Sequence, residues 1–100
     1  VGIECTWNSE LANFAMSKFE TIFLKLLSAR ADNNFPFRDL IYLLNCLKFE
    51  SRIKGSHHIF WKQGIDEIIN LQDNGGRVKP YQIKQVRNLL LKYKLLNDEF

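Results

Sequence analysis

One hundred residues, 46% hydrophobic and 25% charged, make an ordinary globular composition with room for one small domain and none for a second catalytic one. The net charge of +3 leans toward anionic partners, and no apolar run is long enough to cross a bilayer, which argues against a membrane-spanning chain. Cys5 and Cys46 lie far apart, outside any metal motif and with no signal-peptide pattern ahead of them, so the expectation is free thiols in a reducing cytoplasm.

Residues 1–15 show no clean hydrophobic period and precede Met16-Ser17-Lys18, which looks like a natural start. They read as an extension of unknown role, and residues 16–100 as a single domain. Ser17 with Glu20 three positions later is a capping-box pattern that starts a helix, and Phe19, Ile22, Phe23, Leu26 and Leu27 then share one helical face. Turn-forming residues from Ala31 to Pro36 end it, because Pro36 biases Phe35 away from helix. A second helix from about Phe37 buries Leu40, Leu43, Leu44 and Leu47, with Cys46 a small residue in its apolar pattern.

From Lys48 to Ile53 the period moves toward two. Lys54-Gly55-Ser56 reads as a turn, His57–Lys62 as a strand, Gln63-Gly64 as a turn and Glu67–Leu71 as a third strand. Asp73–Gly76 carries the strongest turn signal in the chain. Pro80 suits the first turn of a last helix that buries Ile83, Val86, Leu90 and Tyr93 and turns Lys84, Arg87 and Lys92 largely outward. The order α-α-β-β-β-α predicts an α+β fold, a three-stranded antiparallel sheet with the helices packed on one face.

Walker-type, dinucleotide-binding, zinc-protease and serine-hydrolase motifs are absent. What remains for chemistry is Lys54-Gly55-Ser56-His57-His58, which holds both histidines of the chain. Adjacent strand residues point to opposite faces, so one of the pair should be exposed while the other faces inward. An exposed imidazole can take a proton from an RNA 2′-hydroxyl or give one to a leaving oxygen, with no metal or other cofactor. On spacing alone, ordinary strand histidines satisfied by hydrogen bonds are the commoner outcome. Neighbours on a strand make a poor chelate, so no metal site is expected, and Ser56 reads as a phosphate hydrogen-bond donor rather than a nucleophile. Arg52, Lys54, Lys62, Lys79, Lys84 and Arg87 ring the turn and could neutralise several phosphates, the alternative being a solvated surface. Trp61 is more often partial core than a base-stacking platform.

Three stretches, Arg52-Ile-Lys-Gly-Ser-His-His-Ile-Phe60, Ile68-Ile-Asn-Leu-Gln72 and Gly75-Gly-Arg-Val-Lys-Pro-Tyr-Gln-Ile-Lys-Gln-Val-Arg87, resemble the HicA family of bacterial toxins over roughly residues 17–95. The resemblance implies a fold like the double-stranded-RNA-binding domain, ribosome-independent cleavage of messenger RNA, and a HicB-type antitoxin as partner. It carries the functional histidine onto His57, with His58 as the alternative; in a nuclease built on that histidine, the Gly55 and Ser56 amides are expected to hold a phosphate. Leu40–Phe49 resembles longer HicA-like proteins, in which an added helix precedes the core. Shorter members often have a further histidine and a Val-Pro pattern on the third strand, where this chain has Ile68–Gln72. That departure puts a two-histidine mechanism in doubt and leaves Lys54, Lys79 or Arg77 for charge stabilisation alone. The competing expectations are a non-catalytic RNA-binding module of the same fold and an interaction domain for an acidic protein.

Overall fold

The computed structural model describes residues 17–95; the extension expected over residues 1–15 lies outside them. Helix α1 spans Lys18–Ser28, a 3-10 turn Asp32–Asn34, strand β1 Phe35–Pro36, helix α2 Phe37–Cys46, strands β2 Glu50–Lys54, β3 His57–Trp61, β4 Ile69–Gln72 and β5 Arg77–Val78, and helix α3 Pro80–Lys92. The main elements therefore follow the α-α-β-β-β-α order in an α+β fold.

Helix α1 begins where Ser17 Oγ accepts from the amide of Glu20 at 3.1 Å, satisfying one of the orphan donors of a helix start. Helices α2 and α3 end without glycine. Lys48 and Lys94 take left-handed backbone at φ 70° and 60°. The amides that follow them, Phe49 and Leu95, donate back to Leu44 and Leu90, a closure that usually recruits glycine. The sequence carried no glycine signal for either stop.

Strands β2, β3 and β4 form an antiparallel meander with β3 in the centre. Gly55-Ser56 closes the β2–β3 hairpin, with positive φ at Gly55, the first central residue, as a II′-type turn requires. Pleating puts Phe60, Ile69 and Leu71 on the inner face, each 1% exposed, against Leu26, Leu40, Leu43, Leu44, Ile83, Val86 and Leu90 of the three helices. Burying each such side chain contributes about 1.5–3 kcal/mol before chain entropy is subtracted. Leu27 departs from the predicted stripe: at 36% exposed it sits at the rim of α1. Strand β2 is exposed along its whole length, so the hairpin projects past the helical layer.

A second sheet, absent from the predicted order, pairs Phe35 with Val78 and Pro36 with Arg77. Asn74-Gly75-Gly76-Arg77 makes the return, with Asn74 and Arg77 exchanging both backbone bonds and positive φ at both glycines. Gly76 O then accepts from the amide of Phe37 at 2.9 Å, tying this turn to the start of α2.

Cys46 is half-buried at the end of α2 and disulfide-bonded; among the described residues no cysteine is free. This corrects the expectation of a free core thiol, and the argument from free thiols to a reducing compartment falls with it. No helix among the described residues is long and apolar enough to cross a membrane.

Near the end of α3, Lys92 Nζ and Tyr93 Oη donate to the Glu67 carboxylate at 2.7 and 2.5 Å. These bonds, Lys92's first, hold the carboxyl at about 2, below its usual 4.5. A carboxyl whose folded-state value is depressed contributes fully above about pH 4.5, and that contribution is lost as pH falls toward about 2. Glu67→Gln should therefore flatten the acid limb of stability measured by urea midpoints across that window. The effect should be small, because the pair is solvent-screened.

Candidate functional site

Among the described residues the helices pack on the inner face of the meander and none on the outer one. The rows of the outer face follow from strand register: Lys54, His57 and Gln72 in one, Arg52, Ile59 and Asn70 in the next, and Glu50 opposite Trp61 in the third. Ile59 and Trp61 are half-buried, while the polar members of these rows are exposed. The alternation along Ile69-Asn70-Leu71-Gln72, buried then exposed, shows the pleat directly.

His57 lies on this outer face, exposed, and its Nδ1 sits 2.9 Å from Asn70 Oδ1. An amide oxygen only accepts, so Nδ1 carries the hydrogen and the neutral ring keeps its lone pair on Nε2. Nε2 has no protein partner among the described residues. Beside it, Gln72 Nε2 donates to Ser56 Oγ at 3.2 Å, which occupies a lone pair of the hydroxyl and leaves its hydrogen available to an outside acceptor. His58 points the other way. It is half-buried, its ring edge-on to Phe37 with centroids 4.9 Å apart and planes at 73°. The two histidines, the only ones in the chain, thus cannot serve one substrate from one face.

The cations expected around the turn divide into groups. Arg52 and Lys54 share the face of His57, Lys54 directly opposite it, and neither is held in an ion pair among the described residues. Gly55 and Ser56 form the adjoining turn. Arg77 in β5 donates to Asn34 Oδ1 at 3.3 Å, and Lys79 is the exposed residue that precedes α3. Lys62 is committed elsewhere, donating to Leu47 O at 2.9 Å with its ammonium near the Phe49 ring. Lys84 is exposed on the side of α3 away from the core. Arg87, expected on the outer side of α3, instead pairs in bidentate fashion with Asp32 and reaches Leu26 O, between α1 and α3.

Asn70 and Gln72 were missed as site residues, although the signal was present: polar residues at alternate positions of a strand that pairs with His57. Among the described residues there is no cluster of three or more His, Cys, Asp or Glu side chains that could hold a metal ion.

Fold and face together define an α+β domain that presents one exposed histidine, hydrogen-bonded from β4 and flanked on β2 by Arg52 and Lys54, neither of which has an ion-pair partner among the described residues. Compared with known proteins, the chain matches no family model, no curated protein and no solved structure.

Proposed function

We propose that this chain is a metal-independent endoribonuclease that cleaves messenger RNA, with His57 as general acid-base, and that it is the toxin of a toxin-antitoxin pair. The observation that carries the chemistry is His57 itself, exposed beside Lys54 with Nδ1 bonded to Asn70 and Nε2 open. In the reaction Nε2 takes the proton of a ribose 2′-hydroxyl and the freed oxygen forms a bond to phosphorus. The bond from phosphorus to the 5′-oxygen breaks, and that oxygen takes a proton from a water molecule, which is re-protonated by His57 Nε2 so that the ring returns to its neutral form. The products are a 2′,3′-cyclic phosphate and a 5′-hydroxyl. Lys54 and Arg52 face the charge that develops on phosphorus, and the Ser56 hydroxyl can donate to a phosphate oxygen.

The toxin role, the cytoplasmic location and a HicB-type antitoxin partner rest on the resemblance of Arg52–Phe60 and Gly75–Arg87 to the HicA family. One observation favours the second reading, a non-catalytic RNA-binding module: His58 lies on the opposite face, so no second imidazole is at hand to protonate the leaving oxygen.

Incubation of a defined single-stranded RNA with the purified protein in chelator tests both. Cleavage to cyclic-phosphate ends is expected, and a 2′-deoxy substitution at the cleaved position should block it. Intact RNA that is nonetheless bound would shift the reading to a binding module. Absence of binding at low salt would remove RNA altogether.

A further inference from the structure

We infer that Asn70 is the positioning residue of this site, fixing His57 in the tautomer whose Nε2 can accept a proton. The inference rests on the proposed role of His57, but its physical content is independent of it. A neutral imidazole has two tautomers, and the hydrogen bond at one nitrogen decides which is populated. Asn70 Oδ1, 2.9 Å from Nδ1, can only be met by a hydrogen on Nδ1. With that hydrogen fixed, Nε2 is the acceptor and the ring plane is set by strand β4.

Asn70 is itself anchored. Gln82, in the first turn of α3, is 7% exposed and donates through Nε2 to Asn70 O at 3.3 Å. Its Oε1 is buried without a hydrogen-bond partner among the described residues. An unsatisfied buried oxygen costs stability, so a plain packing role would be better served by an apolar side chain. Holding the β4 backbone at Asn70 accounts for the amide. A path of two hydrogen bonds thus runs from α3 to the histidine, and Gln72 on Ser56 makes the parallel contact one residue earlier in the turn.

The experiment compares full-length protein with Asn70→Ala and Asn70→Asp. Long-range proton–nitrogen correlation spectra of the neutral imidazole should show His57 protonated at Nδ1 in the parent and in Asn70→Asp, which keeps the acceptor. Asn70→Ala should revert to the mixture of a free side chain. In single-turnover cleavage, Asn70→Ala should lose roughly 10- to 100-fold in rate with RNA affinity unchanged, the scale expected for a displaced catalytic group. An unchanged tautomer in Asn70→Ala overturns the inference. So does a rate loss explained wholly by weaker RNA binding. A tautomer that shifts in Asn70→Ala while the parent cleaves nothing supports the positioning and overturns the nuclease reading alone.

Discussion

His57→Ala should reduce RNA cleavage by about 10²–10⁴-fold, the range that one positioned general base supplies, and should leave the fold intact. The side chain is exposed on the outer face and its hydrogen bond to Asn70 goes to another exposed side chain, so its removal opens no cavity in the core. Thermal melts of parent and variant should coincide within the scatter usual for surface changes, about 0.5 kcal/mol. His58→Ala should behave in the opposite way. It removes an edge-on ring contact with Phe37 beneath the sheet, so stability falls while the open Nε2 of His57 is untouched. The pair of variants separates the two adjacent histidines by two readouts, cleavage rate and melting temperature. Full cleavage by a folded His57→Ala protein would remove His57 from the mechanism.

Arg87→Ala should be the most destabilising of the charge deletions. Both guanidinium nitrogens that meet Asp32 lie within 3.0 Å of its oxygens, and one of them also donates to Leu26 O at 3.1 Å. The two side chains are 13% and 21% exposed, so water replaces little of what is lost. Truncation leaves the Asp32 carboxylate and the Leu26 carbonyl unsatisfied at the junction of α1, the 3-10 turn and α3. Deleting one partner of a fully buried pair costs about 3–5 kcal/mol, and partial exposure brings this to roughly 2–3. For a domain of this size that lowers Tm by roughly 10–20 °C. RNA affinity of the folded fraction should not change, which tests directly whether Arg87 belongs to the interface. Lys84→Ala, exposed three residues earlier in the same helix, is the control: its stability change should stay within about 0.5 kcal/mol.

The fate of the basic residues shows where reading along the chain stops. Arg52 and Lys54 lie on the face of His57 for a local reason, strand alternation: once His57 faces out, the residue opposite it across a two-residue turn faces out too. Lys62 and Arg87 were indistinguishable from them by composition. Their partners, Leu47 O and Asp32, are 15 and 55 residues away, and nothing near either cation in sequence announces them. The same distance hid the Phe35–Val78 pairing, whose two strands are too short to show a period.

The sequence by itself determined the element order, the helical stripes, the capped start of α1 and the turns at Gly55 and at Gly75-Gly76. Each of these follows from interactions within a few residues, where side-chain period and backbone preference act. It also determined that only one of His57 and His58 could be exposed. Tertiary structure alone decided which one. The inner face of the sheet had to receive Phe60, Ile69 and Leu71, and that register sends His58 under the sheet toward Phe37 and His57 out beside Asn70. Burial of three apolar residues outweighs any preference of a single imidazole, so the core selects the histidine that meets solvent.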